Sequence, residues 1–261
     1  MSATVAWIAI APIKGLRLQQ LEAAEVTPWG VRGDRAFVLV DADGRMVSAT
    51  RIGALLAIVP HHDAHAGTLA LAFPGGEQVS APIELGAPAT VAFYGNEHPA
   101  HELAGPFSAA ISAHCGVALR LLALPPERTG VDRGRDGAVT LLSSAALERL
   151  RAVGELAEPI DPRRFRMTFG IAGVAAHEEE AWQGREIALG DVRVRVMGQV
   201  GRCAVTTRDA DSGVVDCKML HLVRRARAGV EASEPLPLGA HARVLAPGMV
   251  RLGDTVRACT R

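Results

Sequence analysis

The sequence predicts a mainly β fold with a few helices, and three features of its pattern carry that reading. Short apolar or alternating runs recur along the 261 residues, separated by clusters of Gly, Pro and Asn, as strands joined by turns require. Asp43-Gly44 joins two such runs, RAFVLV and RMVSAT, as the centre of a tight hairpin does. In EIALGDVRVRVMG, Val and Arg alternate with period two, the mark of a strand with one buried and one wet face. Many short strands need their edges hidden, so a closed or partly closed barrel is the expected architecture.

In chain order, VAWIAI and LEAAEVTPWG read as the first extended segments, ahead of the Asp43-Gly44 hairpin. LALAF, APATVAF and LRLLAL continue the strands, while FSAAISAHCG fits one short helix. Residues 125–137, PPERTGVDRGRDG, are rich in Pro, Gly and charge, which suits a surface linker or domain seam. We place the boundary there, with a smaller β-rich domain over residues 1–124 and a β-barrel domain over residues 125–261. Beyond it, TLLSSAALERLRAVG carries apolar residues at helical spacing, with Ser143 or Ser144 as the N-cap. Gly190-Asp191 and Gly253-Asp254 then sit in similar strand-turn-strand contexts.

Composition narrows the function. The chain is 49% hydrophobic and 21% charged, ordinary for a folded globular protein. Its formal net charge is zero, so no global field draws it to nucleic acid or to an anionic membrane, and a positive site must be local. No apolar run of about eighteen residues and no basic leader is evident, so neither a membrane span nor a signal peptide is expected and a cytoplasmic location is. Cys115, Cys203, Cys217 and Cys259 form no C-x-x-C pair and read as reduced thiols. Lysine occurs only at Lys14 and Lys218, which sets Lys14 apart in an arginine-rich chain. No G-x-S-x-G elbow, Walker loop or dinucleotide glycine motif follows a strand.

The most informative segment is VGRCAVTTRDADSG, residues 200–213. A guanidinium at Arg202 beside the thiol of Cys203 favours the thiolate, which is both a nucleophile and a soft metal ligand. A buried structural cysteine is the competing reading. DPRRFRMTFG places Arg163, Arg164 and Arg166 close together; in an extended chain Arg164 and Arg166 share one face and can fork onto a phosphate or pterin edge, against the alternative of an exposed basic strand end. Lys14 and Arg35 stand in glycine-containing turns, where backbone comes close to an anion. Asp209 is a candidate acid beside this segment. His61, His62, Asp63 and His65 read as a solvated turn rather than a metal site, and HEEEAW, residues 177–182, as surface.

Taken together and in this order, these pieces resemble the MOSC family, which includes the C-terminal domain of molybdenum cofactor sulfurases and the mitochondrial amidoxime-reducing component. The resemblance spans nearly the whole chain. PIKG is similar to the family's P-V-K-S, GVRGDRAFVLVDADG to its G-x-x-x-DR-x-F-x-L-V-D-x-x-G stretch, and LLSSAAL to its helix start. RRFRMTFGIAG resembles its R-F-R-P-N segment and GRCAVTTRDADSG its R-C-x-x-T-x-x-D-x-x-T-G motif, the most specific of the set. Carried over by position, the resemblance implies Cys203 as the molybdenum ligand and sole catalytic residue, with Lys14, Arg35, Arg166 and Arg202 holding the phosphate and pterin of a molybdenum cofactor. The sequence departs from the pattern at Gly15, at Ala146 and at Met167-Thr168, which stand for serine, a hydroxyl residue and Pro-Asn. At Gly15 and Met167-Thr168 this implies that one or two hydrogen bonds to the cofactor are absent or remade by Thr168.

The activity implied is two-electron reduction of an N-hydroxylated small molecule, such as an amidoxime or hydroxylamine. With no iron–sulfur or haem motif in the chain, electrons must come from a separate ferredoxin, haem protein or flavin reductase. The alternative is a sulfur- or cofactor-carrier module using a Cys203 persulfide, and a third reading is a binding barrel without cofactor. Pyridoxal phosphate, linked with the family through the sulfurases, needs a lysine imine and is not expected, because Lys14 is better explained as an anion contact.

Overall fold

Strands dominate the described residues of the computed structural model, which are 2–93, 96–125, 127 and 134–259, and four short helices interrupt them. β1 (Thr4–Ile10) and β2 (Gln19–Leu21) pair antiparallel, and β3 (Ala23–Thr27) folds onto β4 (Gly30–Val31). β5 (Phe37–Val40) and β6 (Met46–Val47) form the hairpin read from Asp43-Gly44. There Asp41 Oδ1 accepts the amides of Asp43 and Arg45, and Gly44 takes the left-handed conformation such a turn demands.

β7 (Val59–Asp63), β8 (Thr68–Ala72) and β9 (Gln78–Pro82) make a separate three-stranded meander, which places His61, His62 and Asp63 on a strand rather than in a turn. β10 (Leu85–Phe93) and β11 (Asn96–Leu103) lead to α1 (Phe107–Cys115), which Gly116 ends in the left-handed conformation. β12 (Arg120–Ala123) then pairs with β5 to complete the sheet β10-β11-β12-β5-β6. Of the proposed linker 125–137, residues 126 and 128–133 lie outside the described residues; Gly134–Gly137 is a single 3-10 turn.

β13 (Val139–Ser143) runs directly into α2 (Ser144–Gly154), and the chain returns through a 3-10 turn to β14 (Phe169–Ala172). β14 lies parallel to β13, the arrangement that needs such a crossover. Ser143 is at the N-cap position as expected, but its hydroxyl accepts the His177 amide (3.2 Å) instead of capping the helix. Then come α3 (Glu178–Ala181), β15 (Glu186–Leu189), β16 (Val192–Gly201), α4 (Met219–Ala226), β17 (Pro237–Ala246), β18 (Gly248–Arg251) and β19 (Val256–Ala258). The period-two reading holds in β16, where Val192, Val194 and Val196 are buried while Arg193 and Arg195 are exposed. The two Gly-Asp turns differ: Gly190-Asp191 closes the β15–β16 hairpin, whereas Gly253-Asp254 carries the chain between two sheets, because β18 pairs with β3 and β19 with β15.

The large sheet has the order β19-β15-β16-β17-β13-β14-β1-β2. The ladder itself stays open, yet it curls until its ends meet: Thr4 bridges Thr255, and Val5 and Val256 donate amides to Asp254 and Ala3 at 2.9 Å each. Val5, Ile8, Leu141, Phe169, Ile187 and Val194 point inward and fill it. A second core, around Ile13, Leu16, Phe37, Leu55 and Phe107, lies between β5, the meander and α1. Both the large sheet and β18-β3-β4 draw strands from either side of residue 124. Among the described residues no helix is long and apolar enough to cross a membrane.

The acidic run HEEEAW is not surface. Glu179 and Glu180 are buried, and Glu180 accepts the Gly239 amide (3.1 Å) and Gln199 Nε2 (2.8 Å) while pairing with the Arg227 guanidinium. Burial alone would raise the pKa of Glu180, but His177, Arg227 and these donors outweigh it and hold the carboxyl below its ordinary value. At Glu179 burial wins and the pKa rises. One carboxylate thus joins α3, β16, β17 and the end of α4. Glu180→Ala leaves the Arg227 charge buried and unpaired, and we expect a loss of about 3–5 kcal/mol in urea unfolding.

Candidate functional site

Residues just beyond the ends of β1, β14 and β16 converge on one cavity of about 210 Å³. Residues 11–16 cross from the first core to the second, and Ile13 bridges Phe37 on the way. The crossing is tight: Gly15 has φ of +100°, and a Cβ there would lie 2.9 Å from Ser48 Cα, so glycine is required where the family pattern has serine. This places the Lys14 side chain on the cavity wall.

Arg35 and Arg166 reach the same cavity from left-handed backbone, with φ of 50° and 54°. Non-glycine residues adopt this region at a cost, and here the surroundings fix both. Asp34, fully buried, accepts the Ala11 amide with Oδ1 (2.8 Å) and pairs with the Arg35 guanidinium through Oδ2. Arg35 returns its own amide to Ala11 O (2.8 Å) and donates Nη2 to Arg166 O (3.1 Å). Arg166 ends a 3-10 turn, Pro162–Phe165, capped by Asp161.

That turn corrects the extended reading of DPRRFRMTFG. Arg164 does not share a face with Arg166; it donates to Asp216 (2.7 and 2.5 Å) and to Arg208 O (2.7 Å). Arg163 is likewise taken, by Asp161 and by Asp211 in a two-pronged pair at 2.8 Å. Of the three arginines only Arg166 lines the cavity.

The cavity is cationic. Burial, then repulsion from Arg35 and Arg166, pushes Lys14 down to about 7, with Asp34 and Cys203 pulling the other way. Burial and Arg35 push Arg166 down to about 10. Desolvated cations facing one another call for an anion between them.

Cys203 sits at the rim with its side chain exposed, which removes the buried structural reading. It precedes the 3-10 turn Ala204–Thr207, whose Thr206 amide and hydroxyl both donate to Cys203 O (3.2 and 3.0 Å). Lys14 and Arg166 both feel the charge of Cys203. Arg202 lines the cavity too, but its guanidinium donates to Phe165 O (2.8 Å), Met167 Sδ (3.1 Å) and Val200 O (3.3 Å), so it clamps two walls together.

Thr168 is buried behind the wall, its amide donating to Thr140 Oγ1 (2.9 Å), and it is Thr140 that lines the cavity. Asp209 turns away: its carboxylate accepts from Ser212 (2.7 Å) within its own turn and does not line the cavity. The sequence reading missed Asp34, Thr140 and His241. His241 lines the wall with Nδ1 2.8 Å from Asp136 O; that carbonyl only accepts, so Nδ1 carries a proton. Asp34 was legible as half of the Asp-Arg pair in GVRGDRAF; the other two had no local signal. Among the described residues no cluster of three or more His, Cys, Asp or Glu is placed to hold a metal ion, His61–His65 included.

Comparison with known proteins matches the sequence to two family models, the MOSC domain over residues 128–257 and the MOSC N-terminal beta barrel domain over residues 2–104. The chain belongs to the MOSC family. Mitochondrial amidoxime-reducing component 1 of Mus musculus is 26% identical over 97% of this chain and 81% of its own length. Mitochondrial amidoxime reducing component 2 of Bos taurus is 25% identical over 97% and 82%. The crystal structure of the YUAD protein from Bacillus subtilis aligns with a TM-score of 0.50 at 12% identity, covering 98% of this MOSC chain and 94% of that one, a likeness of fold.

An anion bound beside Lys14 favours its charged form and so carries proton uptake with it. Sulfate titrated into the ligand-free MOSC protein at pH 8, just above the Lys14 value of about 7, is expected to take up protons, seen as a buffer-dependent enthalpy; Lys14→Met should abolish it. Because the folded pKa lies below the unfolded one, the unfolded chain binds more protons between about 7 and 10.5. Stability without the anion should therefore rise with pH across that window.

Proposed function

We propose that this protein is a molybdenum-cofactor oxidoreductase that reduces N-hydroxylated small molecules with electrons from a separate protein. The observation that carries the reading is the grouping of Lys14, Arg35 and Arg166, desolvated and mutually repelling, in one cavity with the exposed thiol of Cys203 at its rim. The donor set fits a cofactor that is an organic phosphate carrying a soft metal. Lys14, Arg35 and Arg166 supply charge-assisted donors for the phosphate and pterin, and Cys203 supplies one thiolate. A single protein ligand leaves the remaining coordination to the organic group. Arg202 keeps the walls in register, and Thr168 orients Thr140 from behind.

When bound, the cofactor supplies two-electron redox chemistry and an acceptor for the substrate oxygen. The chain binds, orients and shields. Reducing an N–OH group to N–H releases water and consumes two electrons and two protons. His241, with its tautomer set by the Asp136 carbonyl, is the imidazole on the wall able to hold a proton there. No cluster or haem motif occurs in these 261 residues, which supports a separate electron donor. The relatives' printed names, amidoxime-reducing components, agree with this substrate class.

The exposure of Cys203 also favours a second reading, a carrier module in which that thiol holds a persulfide or hands on the cofactor. Pyridoxal phosphate is not part of either reading, since the depressed pKa of Lys14 follows from burial and two guanidiniums that an anion would neutralise.

The deciding experiment is molybdenum content per chain, by elemental mass spectrometry, after expression in a host rich in the cofactor. Near-stoichiometric metal is expected in the wild type, loss of it in Cys203→Ser with an unchanged circular-dichroism spectrum, and about tenfold weaker retention in Arg166→Ala. Full molybdenum in Cys203→Ser would refute the ligand assignment. Stoichiometric metal without turnover of an amidoxime under chemical reduction would select the carrier reading.

A further inference from the structure

The strip of surface from Val214 to Arg225 lies against the cavity rim and is not used by the chemistry above. Val214 and Val215 are each 62% exposed, and they are held there rather than loosely placed. Asp209 donates its amide to Val214 O (2.8 Å), Val215 bridges Arg208, and Arg208 Nη1 donates to Gly213 O (2.8 Å). The same guanidinium reaches Thr50 O (3.3 Å), and Thr50 lines the cavity. The Asp216 amide donates to Thr207 O (3.2 Å), in the turn that begins after Cys203. A fixed apolar pair therefore stands on a segment tied to the turn that follows Cys203 and, through Arg208, to the cavity-lining Thr50.

Next in the chain, Lys218, His221, Arg224 and Arg225 are exposed along one stripe of α4, while Met219, Val223 and Ala226 are buried on the other. No acidic residue occurs on α4, and Asp216 before it is taken up by Arg164. Lys218, Arg224 and Arg225 make no ion pair among the described residues. In a chain of zero net charge this is a local cationic stripe next to an apolar pair, the composition of a docking surface with a charged rim.

We propose that Val214, Val215 and the exposed stripe of α4 dock a small acidic one-electron carrier protein, bringing its redox group beside Cys203. This rests on the reductase reading. Each docking passes one electron, the carrier being oxidised, so two dockings supply the pair that, with two protons, converts the N–OH group to N–H and water. A carrier protein fits better than a membrane surface, because the strip is one short helix face flanking a cavity.

The test compares the wild-type holoprotein with the Lys218→Glu/Arg224→Glu/Arg225→Glu variant, using a plant-type [2Fe–2S] ferredoxin as the acidic carrier. Calorimetry should show about tenfold or greater loss of ferredoxin affinity in the variant, and a wild-type affinity that falls as salt rises from about 50 to about 300 mM. Turnover of an amidoxime driven by reduced methyl viologen should be equal in the two, and matched thermal unfolding confirms the fold. Undiminished ferredoxin affinity in the variant overturns the proposal. So does absence of wild-type binding, including the case in which only phosphatidylserine vesicles bind. Charge-dependent ferredoxin binding without viologen-driven turnover would remove the reductase reading and leave the docking surface standing.

Discussion

Cations held in one small cavity repel one another, and the buried carboxylate of Asp34 is what lets the wall form around them. It accepts the Ala11 amide where the chain leaves β1 and pairs with the guanidinium of Arg35, which in turn holds the carbonyl of Arg166. Three segments from distant parts of the sequence are thereby fixed in one place. One carboxylate cannot balance the charge of Lys14, Arg35 and Arg166, so the site keeps a residual demand for an anion, expressed in the lowered pKa values of Lys14 and Arg166. The fold tolerates this because the cost is concentrated where a ligand can relieve it.

The departures from the family pattern are absorbed by packing around that cavity. Glycine at 15 follows from the approach of the Ser48 backbone, which leaves no room for a side chain. Met167 is buried and offers its sulfur to Arg202, so the residue that replaces a proline helps hold the clamp between the two walls. Thr168 exchanges hydrogen bonds with Thr140 rather than facing the cavity. The polar atom presented at that position thus comes from a neighbouring strand.

Local patterns were read correctly from sequence where the physics is local. Alternation in β16, the Asp43-Gly44 hairpin and the helix before Gly116 all depend on neighbours a few residues away. The errors arose where a partner is distant. Arg164 looked like a candidate for an anion until Asp216, about fifty residues on, claimed it. Glu179 and Glu180 looked like surface because an acidic run usually is; Arg227 and the Gly239 amide, which hold Glu180 inside, are far along the chain. His241 enters the site only through strand pairing opposite Thr140. Cys203, by contrast, was marked by a compact motif that needs no long-range information.

The placement of the site between two cores also bears on how it works. Lys14 belongs to the segment that crosses from the large sheet to the second core, and Ser48, Ala49 and Thr50, the first two packed against Gly15, follow the β5–β6 hairpin of that second unit. Pockets formed where separately packed layers meet can be reshaped by changes in the connecting segments while both cores stay intact. The cationic floor is set by hydrogen bonds within β1, β14 and their flanks, and the rim by Thr50, Val205 and Cys203. Under the proposed function the cations would carry affinity for the anion and Cys203 would add one ligand from the rim, while Thr50 and Val205 can vary without touching the hydrogen bonds that join Asp34, Arg35 and Arg166.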